Sequence, residues 1–482
     1  MSAGEKLRPV VPIALLTLLL LVPAVHNGFP LIFPDSGTYL GIAFGPEYAL
    51  DRSSYYGLLL KPLVALGPGV IGLWIAVAVQ ALAVALVLWA VAGALDAEGS
   101  GRWRRLAWIA PAALLTALPW HSGQLMPDAL TGMLVLLVWL AASRAPGRSG
   151  NLLLWTAIVV AALTHYTHLP LLLAAAAATL LSTRAAGRGW RLGLRRWLPA
   201  LAAAGLVLAG WIVANGAVLG RWTVSPTGSV FLYARLNEDG LIGPWLDRHC
   251  GRDAPPRLCA IRGQLPRDSQ QLLWTGAATP VTDLIWHPDP PEARWLWVDM
   301  MAQANRGAIA ERPGQFLLSS LRGFARQLVS FAPLDDECPN SCRDPSGGIT
   351  YILGRYRPET VPALLASHQS QGTTPKALVR NIVMPVAILA LLLLPVALVL
   401  AWRRRDGPAL SLAAAVTAAL LVNAALAGAL SDVHDRYQSR LVWLAPFALL
   451  MIAWRWRRLT LPGAHPYVRG APDKHGDHSS AG

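Results

Sequence analysis

The chain has 482 residues, of which 54% are hydrophobic and 14% charged, and its formal net charge is +14. An ordinary globular chain carries roughly 25% charged residues, so this deficit, together with long Leu/Ala/Val tracts, excludes a soluble fold and points to an all-α polytopic membrane protein. The surplus arginine gathers at the ends of apolar runs, as the positive-inside rule directs, and this argues against nucleic acid as a partner.

Apolar length and bounding charges place about ten helices, near 9–25, 68–95, 106–120, 127–143, 151–164, 168–183, 197–219, 381–402, 408–430 and 440–454. The first run follows "EKLR", as a signal peptide would, yet Pro9 and Pro12 enter it and no small-x-small cleavage site follows; a retained span is expected. The stretch "LLLWTAIVVAALTHYTHLPLLLAAAAATLL" is split at "HYTH", because two histidines in hydrocarbon would be costly. With the N-terminus inside, the basic segments 101–105, 144–148, 183–196, 403–405 and 455–458 all fall on the cytoplasmic side. The connections 26–67, 121–126, 165–167 and 431–439 then face outward. No repeat period appears, and the tail, 459–482, is polar and expected to be disordered in the cytoplasm.

Residues 220–380 read as one large outward loop domain. It holds all four cysteines, Cys250, Cys259, Cys338 and Cys342. Cysteines confined to an outward segment suit disulfides in an oxidising compartment, with Cys250–Cys259 and Cys338–Cys342 as the local pairing among three connectivities. Their C-x8-C and C-x3-C spacings suit zinc poorly, and no metal is assigned. An outward loop without a eukaryotic-style signal suggests the bacterial inner membrane, with the loop in the periplasm. Within it, 283–331 has helical periodicity from about Pro291, with Arg306 and Arg312 on its polar side; it reads as a cap over a cavity or a lid packed on the bundle.

Several polar groups collect on the outward side. Asp35 follows the first span in "FPDSGTY"; Arg52, Tyr55 and Tyr56 follow in "DRSSYYG". Asp128 opens the fourth span, His165 and His168 flank the "HYTH" turn, and His434, Asp435, Arg436 and Tyr437 open the last span. Each has a plain alternative. Asp35 can be the N-cap of a helix with Tyr39 one turn on. Asp128 can serve only the helix dipole, the histidines can be turn residues, and "HDRYQSR" can be an interfacial cap with snorkelling arginines.

These elements resemble the GT-C fold membrane glycosyltransferases, the superfamily of protein O-mannosyltransferases and the lipid A aminoarabinose transferase. The resemblance covers roughly 1–220 and 380–458 and rests on "PDSGTYL" (Asp35, Tyr39), "DRSSYYG" (Arg52, Tyr56), "MPDALTGMLVLL" (Asp128), "AALTHYTHLPLLL" (His165, His168) and "DRYQSRLVWLAPFALL" (Arg436, Tyr437), in that order and on one side. Three departures stand: Ser36 follows Asp35 where the family often has a second acid, His121 and Gln124 precede Asp128 where it often has an arginine, and the large loop lies between the seventh and eighth spans.

The resemblance implies an inverting transfer of a sugar from a polyprenyl-phosphate-type donor to a hydroxyl of a lipid, glycan or protein. Asp35 would be the general base, its pKa raised by desolvation. Arg52, Arg436, His165 and His168 would be the cations or hydrogen-bond donors that absorb the charge developing on the leaving phosphate, with Tyr39, Tyr56, Asp128, His434 and Tyr437 around the donor. No cofactor is implied. Rival classes remain: an O-antigen-type polymerase or ligase using Arg322, Arg326, Arg355 and Arg357; a transporter or flippase, for which Gln80 and Asn423 are the mid-depth polar residues; and a scaffold.

Overall fold

The computed structural model describes residues 9–96, 99, 101–143, 148–185, 190–274, 281–334, 342–344 and 348–459, and the described chain is helical. The first part runs α1 (Val10–Asn27), α2 (Ser36–Phe44), α3 (Tyr55–Val64), α4 (Val70–Leu95), α5 (Arg102–Leu114), α6 (Leu118–Ser122), α7 (Asp128–Ser143), α8 (Arg148–Leu163), α9 (His168–Ala185) and α10 (Trp190–Leu219). Shorter helices follow: α11 (Gly228–Glu238), α12 (Ile242–His249), α13 (Pro256–Ile261), α14 (Ser269–Trp274), α15 (Ala293–Glu311), α16 (Pro313–Val329), α17 (Gly348–Tyr356), α18 (Val361–Ala366) and α19 (His368–Gln371). The chain closes with α20 (Lys376–Arg403), α21 (Gly407–Leu430), α22 (Asp435–Val442) and α23 (Leu444–Leu459).

Helix is the form these apolar runs must take, since it satisfies every backbone N–H and C=O within the segment. Among the described residues five helices are long and apolar enough to cross a membrane: Val10–Asn27, Val70–Leu95, Trp197–Leu219, Lys376–Arg403 and Gly407–Leu430. Asp128–Ser143, Leu152–Leu163 and His168–Ser182 are shorter apolar helices. The expected division at "HYTH" is present, α8 ending at Leu163 and α9 beginning at His168. The expected single helix over 106–120 is instead two. Pro111 inside α5 and Pro119 at the start of α6 each lack an N–H, and the chain turns at Leu115–Ala117 between them. The last helix also starts earlier than expected, as α22, and breaks at Trp443, whose indole N–H donates to the Arg440 carbonyl at 2.9 Å.

Helix α7 is buried on every side from Asp128 to Ala141. Its all-round apolar sequence is that of a central helix rather than an amphipathic one. Helix α20, equally apolar, has only 28% of its span buried and lies at the periphery. Close approach marks two contacts. A Cβ on Gly132 of α7 would meet the Trp443 ring at 2.4 Å, and a Cβ on Gly428 of α21 would meet the Gly323 carbonyl carbon of α16 at 2.3 Å.

Residues 220–380 divide between two cores. Val230, Tyr233, Leu246, Leu272, Val298 and Met301 help form a separate core from α11 to α15. Ile349, Leu353 and Leu364 instead join the large core of the apolar helices. Cys250 and Cys259 form the expected disulfide. Cys342 is disulfide-bonded too, and Cys338, its expected partner, lies outside the described residues.

The Gly323–Gly428 contact is backbone on backbone, so no side chain can rotate away from an added methyl. Gly428→Ala is expected to lose about 1–3 kcal/mol by overpacking, read as a lower melting temperature in detergent. Gly205→Ala, which meets nothing within 4 Å, is the comparison and is expected to leave the melt unchanged or raised; equal melts for the two variants would refute the close packing of α16 on α21.

Candidate functional site

The site is built on an irregular segment between α1 and α2. Gly28 ends α1 in the left-handed region, φ 76°, a conformation glycine reaches without a Cβ penalty. The chain then runs beside residues 123–125: the Leu31 N–H donates to the Gly123 carbonyl at 2.9 Å, and the Leu125 N–H to the Leu31 carbonyl at 2.8 Å. Gln369 of α19 clamps the same segment. Its Oε1 accepts from the Ile32 N–H at 3.0 Å, its Nε2 donates to the Ile32 carbonyl at 3.1 Å, and its own N–H donates to Asn27 Oδ1 at 2.8 Å.

Asp35 stands at the N-cap position of α2, yet its side chain makes no cap hydrogen bond. Ser36 Oγ closes the turn instead, accepting from the Phe33 N–H at 3.0 Å. The Asp35 carboxylate is thereby free to hold two guanidiniums. Arg52 Nη1 lies 2.7 Å from Oδ1, and Arg436 Nη1 and Nη2 each donate to Oδ2 at 3.2 Å. Arg52 also pairs with its neighbour Asp51. The Arg436 guanidinium lies 3.8 Å above the Phe33 ring, and Arg52 lies 5.8 Å from the Tyr39 ring.

Beneath this group is a second, fully buried one. Arg440, one turn after Arg436 on α22, donates from Nη1 to Asp128 Oδ1 at 3.3 Å, with the two side chains 2% and 1% exposed. Its Nη2 donates to Thr167 Oγ1 at 3.1 Å and to Asn423 Oδ1 at 3.2 Å. His165 Nε2 lies 3.4 Å from Nη1. Three acids, Asp35, Asp51 and Asp128, therefore face three arginines, Arg52, Arg436 and Arg440. Asp128 Oδ2 and Arg440 Nε are buried with no hydrogen-bond partner among the described residues.

A small cleft opens beside Arg436. Phe33, Trp120, His121, Gln124, Gln369 and Ser439 are among its walls, and its free space is about 40 Å³, room for a few waters. His121 Nε2 and Ser439 Oγ are 3.1 Å apart.

The expected residues separate into three sets. Asp35, Arg52, Tyr39 and Arg436 form the upper group, and Asp128 and His165 belong to the lower one. His168 is held on both ring nitrogens, Nε2 by Thr131 Oγ1 at 2.9 Å and Nδ1 by the Ala161 carbonyl at 2.7 Å. The Tyr56 hydroxyl donates to Gln80 Oε1 at 2.8 Å. His434 turns away, to Gln270 at 3.0 Å, and the Tyr437 ring lies edge-on to it, 5.3 Å between centroids.

Two electrostatic expectations change. Burial by itself would raise the Asp35 pKa, as expected, but Arg52 and Arg436 together outweigh it and hold the carboxyl below its ordinary value. Burial, then the charge of Arg440, holds the His165 pKa well below the ordinary histidine range, which favours a hydrogen-bonding role for this ring over that of a cation. His168, with an acceptor already on Nδ1 and a hydroxyl on Nε2, is a packed turn residue.

Sequence reading missed Arg440 as the partner of Asp128, and missed His121, Gln327 and Gln369. The four-residue spacing of Arg436 and Arg440 puts both on one helix face and was an available signal. The amides gave no such signal, because their partners are backbone groups distant in sequence. Gln327 does for the second charged segment what Gln369 does for the first: Oε1 accepts from the His434 N–H at 3.0 Å and Nε2 donates to the His434 carbonyl at 2.8 Å. Asp435 Oδ1 adds a bond from the Ala332 N–H at 2.8 Å.

Gln369→Ala strips the side-chain bonds to the Ile32 N–H and carbonyl from a buried segment and leaves the Ile32 N–H without a partner, while the Gln369 N–H and the Phe29 carbonyl still hold the Asn27 amide. About 1–3 kcal/mol of stability is expected to be lost, and an unchanged thermal melt would show that the clamp is dispensable. His121 sets a pH dependence. Burial first, and then Arg440 and Arg436 against the opposing pull of Asp128, bring its pKa down from 6.5 to about 4. The unfolded chain therefore binds a proton that the folded chain refuses. Stability falls as pH drops from about 6.5 toward 4, by at most about 1.4 kcal/mol per pH unit. His165 adds to the same trend, whereas Asp35 acts only below pH 3.8, where protonation removes its ion pairs. His121→Asn should flatten the dependence of melting temperature on pH across that window; a slope equal to that of the unmutated protein would contradict the burial of a neutral ring.

No protein-family model matches the chain, and neither a curated protein nor a solved structure matches it.

Proposed function

We propose that the protein is an inverting membrane glycosyltransferase of GT-C type, moving a sugar from a polyprenyl-phosphate-type donor to a hydroxyl acceptor. In this reading the chain crosses the bacterial inner membrane about ten times, and the Asp35 end faces the periplasm. The observation that carries it is the placement of Asp35. An acid from residue 35 is gripped by arginines from residues 52 and 436, and Arg436 also lines a small cleft. A carboxylate with cations beside it supplies the two elements such a displacement requires: a proton acceptor and a stabiliser for the leaving phosphate.

The electrostatics suggest how the two are coupled. With both arginines on Asp35 the carboxylate is a poor base. Arg436 spends two of its five N–H donors on Asp35. A donor phosphate that draws Arg436 and Arg52 toward itself weakens the cause that lowers the Asp35 pKa and raises its proton affinity as the substrate binds. The acceptor oxygen then forms its bond to the anomeric carbon while the carbon–oxygen bond to phosphate breaks. The hydroxyl proton goes to Asp35, and the electron pair leaves on the phosphate beside the guanidiniums. Asp128 and Arg440, fully buried, hold α22 in place beneath the reacting groups.

The test compares lipid-linked glycans and their products, by mass spectrometry, in a deletion strain carrying the original gene or a variant. Asp35→Asn is expected to insert normally and to lower transfer by about 10²–10⁴-fold, with donor accumulating. Arg436→Ala is expected to weaken donor use. Full complementation by Asp35→Asn would remove the base assignment.

A further inference from the structure

The strongest feature that the site does not use is one face of α16. Leu317, Leu318, Leu321 and Val329 are 60%, 48%, 54% and 71% exposed. At 100° per residue they fall, with Ala325 and Leu328, on an arc of roughly 120°. The opposite face carries the buried Gly323 and Gln327. Arg322 and Arg326, both exposed, border the apolar arc, and the helix contains no acid. A stripe of this width is unusual on a surface that meets only water.

The neighbour of α16 indicates what covers the stripe. Helix α16 packs on α21 with Gly323 against Gly428, at the backbone-to-backbone closeness that small residues allow between membrane helices. Helix α21 is itself long and apolar enough to cross a membrane, and its Leu421 and Leu430 are 44% and 48% exposed. The apolar surface of α16 thus adjoins the end of a candidate span, and its two arginines lie where headgroup phosphates would meet them. We propose that α16 lies in the interfacial layer of the bilayer, with its leucine stripe among the acyl chains and Arg322 and Arg326 at the headgroups. The segment 220–380 would then be anchored to lipid along α16. Because Gln327 on the buried face of α16 holds His434 by its backbone, the lipid layer would also fix the depth of the segment that bears Arg436. The proposal does not depend on the chemistry of the site.

The experiment uses the full chain in phosphatidylcholine/phosphatidylglycerol nanodiscs, with a nitroxide on single introduced cysteines. Among the described residues no cysteine is free, so the label goes to the introduced one. Leu317→Cys, Leu318→Cys and Leu321→Cys are compared with Leu392→Cys, 69% exposed on candidate span α20, and with Arg257→Cys, exposed on α13. Each variant is used when its melting temperature matches that of the unlabelled protein, and the exposure of all three α16 positions favours this. Power saturation is expected to give the α16 labels an oxygen-to-nickel-chelate accessibility ratio above one, with Leu392, while Arg257 falls below one. Ratios that follow Arg257 would overturn the proposal. So would dipolar broadening between Leu321 labels with access to neither reagent, which would show a second copy of the chain on this face.

Discussion

The arrangement depends on one carboxylate. Asp35 joins Arg52, from the same stretch before α3, to Arg436, a residue from the far end. Its side chain is 25% exposed and those of the arginines 14% and 12%, so water screens these pairs less than it would on an open surface. Helix α2 forgoes a side-chain cap from Asp35, and Ser36 closes the turn in its place. Local structure has yielded to a long-range charge contact, as is common where a fold assembles a site.

Amides hold the segments that bear these charges. Gln369 and Gln327 each accept from a backbone N–H and donate to the carbonyl of the same residue, Ile32 in one case and His434 in the other. An amide can do both because it carries a donor and an acceptor on one plane. Irregular backbone among apolar helices needs such partners, since an unsatisfied group there costs several kcal/mol. A charged side chain would satisfy only one of the two and would add its own desolvation. Gln80 follows the same logic, donating to the Ser122 and Gln124 carbonyls at 3.0 and 2.8 Å.

The two layers of charge differ in character. The upper pairs are partly exposed, and Arg436 lines a cleft; the lower pair, Asp128–Arg440, is sealed. Removing one member of a sealed pair leaves an uncompensated charge and costs about 3–5 kcal/mol. Arg436 and Arg440 lie one turn apart on α22, so the position of the first is tied to that of the second.

How much of this was legible in the sequence varied by residue. Apolar run length alone gave nearly every long helix, because a segment without water must satisfy its own backbone. It missed the turn between α5 and α6, where two prolines outweigh hydropathy. Asp35, Arg52, Asp128 and Arg436 stood out as ionisable groups at the ends of apolar runs, and the fold does bring them to one place. The partners were hidden. That Asp128 belongs to Arg440, that Asp35 is pulled down in pKa, and that His168 is packing all depend on which helix faces which, and nothing local encodes that. Length, composition and charge fixed a helical chain suited to a membrane with its polar groups at the span ends; the tertiary packing alone decided the pairing, because an ion pair depends on distance in space, and residues 35 and 436 become neighbours only when the bundle closes.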